Sequence, residues 1–158
     1  VLKKMGHNLE PSELGAAFGL VQLKKLRQNL RKREINFNLH TKFLKKYTEY
    51  FILPKQLPGS RSGWLAYPIT ITNKAPFSRT QMQIFLEKKN IQTRVVFTGN
   101  ILRQPGFKYI RAKKNKHGYP EADKVMKNGI LLACHHGLTS KMIKHIHRSI
   151  EEFILKYS

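Results

Sequence analysis

Two arginines and an asparagine stand close together in residues 93–105, where a β-branched and aromatic run precedes a Gly-Asn pair and a Gln-Pro-Gly breaker follows. This order predicts that Arg94, Asn100 and Arg103 gather near the end of one strand. A guanidinium group matches the oxygens of a phosphate or carboxylate two at a time. The segment therefore indicates a site for a ligand that carries such a group. A strand end with solvated arginines is the alternative from this segment alone.

The charge of the chain points in the same direction without choosing the ligand. Thirty Lys and Arg stand against nine Asp and Glu, for a formal charge of +21 over 158 residues. Between Glu87 and Glu121 there is no acid, while nine basic residues occur. Such a face attracts nucleic acid, an anionic membrane or an anionic small molecule. A small basic nucleic-acid-binding module stays open as an alternative, although no strand shows the glycine-flanked aromatics of an RNA-recognition motif.

Other kinds of chemistry have weak support in the sequence. Cys134, His135 and His136 are consecutive, so their side chains diverge and make a poor metal chelate. We expect Cys134, the one cysteine, to be a buried small residue at a strand end. No carboxylate pair, P-loop or dinucleotide fingerprint stands out, so we expect neither a metal site nor a catalytic residue in this chain. With no apolar window of about 20 residues and no signal peptide, we expect a cytoplasmic protein that does not enter a membrane.

The elements that must position these residues predict an α+β fold of about one domain. Its parts are a long N-terminal helix and a small sheet, mostly antiparallel and covered by helices. We expect a helix from Pro11 to about Tyr47, a helix capped by Ser78 and a strand through Phe97. The other expected elements are a strand over 64–72 with Leu65, Tyr67, Ile69 and Ile71 on one face, a helix over 122–127, an apolar run over 130–134 and a helix over 140–155.

Several blocks of the sequence resemble one family. Residues 6–23 are similar to the Gly-Tyr-Asn…Ala-Ala…Gly…Gln-Leu signature of the sugar aminotransferase family of PLP-dependent fold-type I enzymes, and residues 93–105 resemble its later strand-and-turn motif. The resemblance implies the C-terminal small domain of a PLP-dependent transferase fold, which is α/β as a whole. Residues 1–50 would be a connecting helical segment and residues 51–158 the small domain. The large cofactor-binding domain, with its catalytic groups, would lie upstream of this chain.

Within that family, residues 64–69, 97–105 and 137–139 are most similar to the nucleotide-sugar 3-dehydratases. The resemblance implies a lyase that removes the C3 hydroxyl of a CDP-4-keto-6-deoxy sugar in bacterial lipopolysaccharide O-antigen biosynthesis. It also implies pyridoxal or pyridoxamine phosphate as cofactor, a homodimer and an iron–sulfur reductase partner. A sugar aminotransferase of the same family is the alternative, and the upstream residue that faces the cofactor, lysine or histidine, would separate the two.

The resemblance also suggests roles for individual residues. Asn8 matches the asparagine that reaches the cofactor phosphate of the other subunit, although an asparagine ahead of a helix is also a common capping residue. Leu65 stands where aminotransferases carry histidine, and Phe97 where they carry tyrosine, which favours dehydration. Arg94, Asn100 and Arg103 match the loop at the substrate entrance. The sequence departs from the family at His7, which replaces tyrosine, and over residues 133–136, which replace an aromatic and a proline.

Overall fold

The computed structural model describes residues 11–113 and 115–157, which form four α-helices and one four-stranded sheet. The strand order is β1-β2-β4-β3, and each neighbouring pair is antiparallel. The predicted α+β fold with a long first helix is confirmed. The helices are α1 (Glu13–Leu44), α2 (Arg79–Lys88), α3 (Pro120–Asn128) and α4 (Ser140–Tyr157), and the strands are β1 (Phe51–Ile52), β2 (Ala66–Ile71), β3 (Arg94–Val95) and β4 (Gly129–Ala133).

The core forms where helices cover the two central strands. Alternate residues of β2 and β4 are buried, as expected for a sheet with one face against a core. Each large apolar side chain that leaves water contributes roughly 1.5–3 kcal/mol. The buried set contains Tyr67, Ile69 and Ile71 of β2, Ile130 and Leu132 of β4, Met82 and Leu86 of α2, Ile146, Ile150 and Phe153 of α4, and Phe37 and Leu44 of α1.

Strand β2 follows the predicted alternation at three of the four positions. Tyr67, Ile69 and Ile71 are buried, but Leu65 precedes the strand and is 68% exposed. The prediction that Leu65 shares the buried face was therefore wrong, because the chain enters the ladder only at Ala66. Pro68 is tolerated in this central strand because β1 pairs only with Thr70 and Ile71, so Pro68 lies beyond that pairing.

Helix α1 begins at a capped end and packs along only part of its length. The Ser12 hydroxyl accepts a hydrogen bond from the Gly15 amide at 3.1 Å, which satisfies one free N–H of the first turn. The buried positions of the helix all lie in its C-terminal half. Large apolar side chains of the N-terminal half are exposed, and no other described residue covers them: Leu14, Phe18, Leu20, Val21, Leu23 and Leu26.

Strand β3 is shorter than predicted. It contains only Arg94 and Val95, which pair with Leu131 and Ile130 of β4. The prediction of a strand through Phe97 was wrong, because the Phe97 amide donates back to the Val95 carbonyl at 2.9 Å and closes a tight turn. Phe97 has φ 47, in the left-handed region that non-glycine residues seldom adopt.

The remaining elements agree with the sequence analysis. Ser78 and Gln81 form a complete capping box at the start of α2, as the N-cap prediction requires. Helix α3 is one to two residues longer at each end than predicted, and α4 extends two residues further. Among the described residues, no helix is sufficiently long and apolar to cross a membrane.

Two histidines connect α1, β4 and α4 inside the fold. His40 Nε2 lies 2.9 Å from the Ala133 carbonyl oxygen, and His40 Nδ1 lies 3.1 Å from His147 Nε2. A carbonyl only accepts, so His40 Nε2 carries the proton, and His147 Nε2 donates to His40 Nδ1. Burial lowers the pKa of His40. Burial, then the neighbouring His40 and Lys46, lower the pKa of His147 to about 4, against a smaller opposing effect of Glu151.

We expect the neutral histidine pair to make stability depend on pH. The unfolded pKa of His147 is 6.5 and the folded pKa about 4, so the stabilisation is fully present above 6.5 and is lost as the pH falls toward about 4. His147→Gln keeps an N–H donor for His40 but cannot titrate. Urea unfolding between about pH 7.5 and 4.5 measures how the free energy of unfolding changes with pH. In this variant that change per pH unit should be smaller, by the equivalent of up to about one proton taken up on unfolding. His145→Gln, on the exposed side of α4, is the matched control. Equal slopes in wild type and His147→Gln would contradict this assignment.

Candidate functional site

The turn that follows β3 rests on helix α3. Gly99 has φ +63, and a Cβ there would collide with the Met126 side chain and lie 2.6 Å from the Met126 Cα, so only glycine fits against the helix. The Gln104 side chain donates to the Thr98 carbonyl at 2.9 Å and closes the turn. Arg79 of α2 donates to the Met126 carbonyl at 2.6 Å. The turn is thus held against a helix that is itself bonded to α2.

Asp123 of α3 binds two of the predicted site residues. Asn100 is buried, with its Oδ1 accepting from the Leu102 amide at 3.1 Å and its Nδ2 donating to Asp123 Oδ1 at 2.7 Å. Arg103 donates from Nε to Asp123 Oδ1 at 3.1 Å and from Nη2 to Oδ2 at 2.9 Å. Hydrogen bonds from Arg103 and then Asn100 lower the pKa of Asp123. The carboxylate is therefore ionised at neutral pH and holds both residues in place.

The surface of this turn exposes one aromatic ring and several cations. Phe97 is 86% exposed, on a backbone that its turn forces into the left-handed region. A large apolar side chain in that conformation is uncommon, and such outliers concentrate at functional sites. Arg103 is also exposed. The loop that follows adds exposed basic side chains at Lys108, Arg111, Lys113 and Lys116.

The structure separates the predicted site residues into two regions. Phe97, Asn100 and Arg103 lie together on the turn beside α3. Leu65 lies at the other end of the sheet, because Ala66 is opposite Ala133 whereas Val95 is opposite Ile130. At about 3.3 Å per residue, Ala66 and Val95 are roughly 10 Å apart along the strand direction, and Leu65 and Phe97 lie beyond them at opposite ends. Asn8 lies outside the described residues.

Arg94 lies between these two regions and lines a cavity of about 700 Å³. Strand β4, the N-terminal part of α4 and the loop before β3 form the walls, which are mostly apolar. Arg94, His135, Lys141 and His145 supply basic groups, and no acidic residue lines the cavity. A cavity of this size holds a small molecule, and its charge favours an anionic one.

The one cysteine of the chain lies inside the fold, as the sequence predicted. Cys134 is fully buried at the end of β4, and its thiol contacts the Arg33 carbonyl at 3.6 Å. Burial raises the pKa of the thiol to about 11, so a thiolate nucleophile does not form near neutral pH. Across residues 11–113 and 115–157, no three His, Cys, Asp or Glu side chains come together as a metal site.

Asp123 is the residue of this site that sequence reasoning missed. The sequence places it only on a helix surface, and no local pattern links it to Asn100 or Arg103, which precede it by 23 and 20 residues. One signal does point to it: the nearest acids after the stretch of nine basic residues are Glu121 and Asp123. An acid next to a cationic surface is a candidate for pairing with it.

Comparison with known proteins supplies the family context for this geometry. A family model described as the DegT/DnrJ/EryC1/StrS aminotransferase family matches residues 1–151. A dTDP-4-dehydro-2,6-dideoxy-D-glucose 3-dehydratase from Saccharopolyspora spinosa is 33% identical over 154 residues, which are 98% of this chain and 33% of that protein. The lipopolysaccharide biosynthesis protein RfbH from Salmonella typhimurium is 29% identical over 149 residues, which are 94% of this chain and 34% of that protein.

The fold has close counterparts among solved structures. The GDP-4-keto-6-deoxy-D-mannose-3-dehydratase of E. coli, solved with bound hydrated PLP, superposes with a TM-score of 0.82 at 24% identity, over 91% of this chain and 36% of that one. At this identity the likeness establishes the fold. The chain spans about a third of the length of the curated relatives it matches.

We expect Gly99→Ala to push the turn away from α3. The added Cβ collides with Met126 and the left-handed φ is strained, so the free energy of unfolding should fall by roughly 2–4 kcal/mol. Gly118→Ala is the matched control, because Gly118 has φ +68 and an added methyl group there would meet nothing within 4 Å. This control should cost only roughly 1 kcal/mol. Denaturant unfolding measures both variants. Equal losses would mean that the Met126 contact does not hold the turn.

Proposed function

The chain belongs to the DegT/DnrJ/EryC1/StrS aminotransferase family, and we propose on that basis that it is the C-terminal part of a nucleotide-sugar 3-dehydratase. Residues 1–50 serve as the connecting helical segment and residues 51–158 as the small domain, while a large upstream domain holds the catalytic groups. The substrate is a CDP-4-keto-6-deoxy sugar, and the pathway is lipopolysaccharide O-antigen synthesis. RfbH, a relative named for lipopolysaccharide biosynthesis, supports the pathway. The relative named as a dTDP-sugar 3-dehydratase supports the reaction. The experiment below decides which nucleotide the sugar carries.

The observation that carries this proposal is the turn with Phe97 and Arg103 on its surface. Its cations suit an anionic diphosphate, because guanidinium forks match phosphate oxygens. Arg103 binds the diphosphate, Arg94 binds a second anionic or hydroxyl group, and Asn100 shapes the turn beneath them. This donor chemistry equally fits the phosphate of a pyridoxal cofactor, for which Asn8 is the proposed ligand.

Two apolar residues, one in each of the two regions, favour dehydration over amino transfer. Phe97 and Leu65 occupy positions at which the resemblance places tyrosine and histidine in aminotransferases, and neither side chain can donate or accept a proton. Pyridoxal or pyridoxamine phosphate, when bound, supplies the electron sink that weakens bonds at the neighbouring sugar carbon.

Two partners complete the proposal. Replacing C–OH by C–H at the sugar C3 consumes two electrons and two protons and releases water, and an iron–sulfur reductase supplies the electrons. The second partner is another copy of the protein. The uncovered apolar residues of α1, which include Leu14, Phe18 and Val21, support a homodimer, because monomers seldom leave such a continuous apolar surface in water.

The experiment uses the full gene product with pyridoxamine phosphate, an iron–sulfur reductase and CDP-, GDP- and dTDP-linked 4-keto-6-deoxy sugars. Mass spectrometry should show a product that has lost the C3 oxygen. A product that has gained an amino group, formed with an amino-acid donor, would replace this proposal with the second candidate, a PLP-dependent sugar aminotransferase. That candidate is favoured by the name of the family itself. The family match covers nearly the entire chain. We therefore prefer the dehydratase or the aminotransferase to a nucleic-acid-binding module.

We expect the isolated 158-residue chain to bind no PLP and to leave the nucleotide sugar unchanged, because the groups that polarise the cofactor belong to the proposed upstream domain. Absorbance spectroscopy with added PLP measures binding, and circular dichroism verifies that the helices have formed. The full gene product is the positive control. A cofactor absorbance band from the folded 158-residue chain would contradict the domain assignment.

A further inference from the structure

We infer that Asp123 is a positioning residue for the diphosphate of the substrate, acting through Arg103. This inference rests on the proposed function and adds to it a residue on a different element. Asp123 lies on α3, whereas the turn belongs to the segment after β3. Through Asn100 and Arg103 the one carboxylate joins the two elements.

The geometry at Asp123 determines which face of the guanidinium remains for a ligand. Arg103 uses Nε and Nη2 on the two carboxylate oxygens, a side-on bidentate contact. Two N–H groups of Nη1 and one of Nη2 are left, and they point away from the carboxylate in the guanidinium plane. One N–H of Nη1 and the remaining N–H of Nη2 lie parallel and match two adjacent phosphate oxygens. The carboxylate therefore selects one direction for a side chain that otherwise samples many rotamers.

The ion pair between Arg103 and Asp123 contributes too little to folding stability to explain why the two residues are paired. The Arg103 side chain is 64% exposed and that of Asp123 30% exposed, and ion pairs near water contribute little to folding. Helix α3 is already held by the Arg79 contact to Met126, and the turn already packs on Met126 through Gly99. What Asp123 adds is the orientation of Arg103 and the closed form of the turn around Asn100. Pre-orienting a ligand-binding side chain lowers the entropy cost of binding.

If charge attraction alone governed binding, removal of the Asp123 charge would have the opposite effect on the affinity for an anionic ligand. One substitution therefore distinguishes the two explanations. Asp123 is negative, so its removal raises the positive potential that an anionic ligand meets. If only charge mattered, Asp123→Asn would bind a nucleoside diphosphate more tightly. If Asp123 positions Arg103, the same change weakens binding, because an asparagine cannot accept both guanidinium bonds as a carboxylate does.

The test titrates the full gene product with CDP, with GDP and with dTDP in a calorimeter. Asp123→Asn should weaken binding of the diphosphate that the wild type prefers by about 10-fold, the usual size of one lost hydrogen bond to a charged group. Glu121→Gln is the matched control, because it makes the same change of charge on the same helix and Glu121 is 85% exposed. It should bind within about 2-fold of wild type. Melting temperatures verify that both variants are folded.

A double-mutant cycle separates positioning from a general loosening of the turn. In an Arg103→Ala background, Asp123→Asn should cause no further loss, because the group on which it acts is gone. A full additional loss in that background would overturn the inference in favour of a structural role. Equal or tighter binding by Asp123→Asn alone would overturn it in favour of charge attraction. Failure of the wild type to bind any of the three diphosphates would overturn the proposed function, and this inference with it.

Discussion

Burial of the shared face of β2 and β4 is the constraint on which the rest of this structure depends. Tyr67 and Ile69 on one strand and Leu132 on the other are almost completely excluded from water, under side chains of α2 and α4. Because these two central strands pair along five positions, their register also sets where each chain segment leaves the sheet. The site turn departs at one end and Leu65 enters at the other. That register sets the distance of Leu65 from the start of the turn.

The turn after β3 is held by contacts to α3 rather than by strand pairing. Strand β3 pairs at only two positions, so the backbone is released early and bends at Phe97. Gly99 then allows the chain to approach Met126, and Asp123 binds the polar side chains of the turn. An exposed aromatic ring on a left-handed residue costs free energy, and packing against a helix compensates for it. The turn therefore has specific contacts to a helix, although it lies in a loop.

Charge and apolar exposure have different distributions in the described part of the chain. The cations concentrate on the loop after the turn, where Lys108 and Arg111 face solvent. The uncovered apolar side chains concentrate on the N-terminal half of α1. The first surface suits an anionic ligand, and the second suits a protein neighbour. Such a division is what a domain needs if it contributes to a site that another domain or subunit completes.

The sequence by itself determined the local elements and predicted an anionic ligand. Periodic apolar residues predicted α1 and α4, the Ser78 cap predicted the start of α2, and alternation predicted most of β2, because these signals depend on neighbouring residues. The pairing of guanidinium and amide groups in residues 93–105 predicted an anion site for the same reason. The tertiary structure decided the rest. The early end of β3, the exposure of Leu65, the separation of Leu65 from the turn, the contact between His40 and His147, and the contacts of Asp123 with Asn100 and Arg103 all depend on groups far apart in the chain. Only the packing of the sheet and its helices brings such groups together.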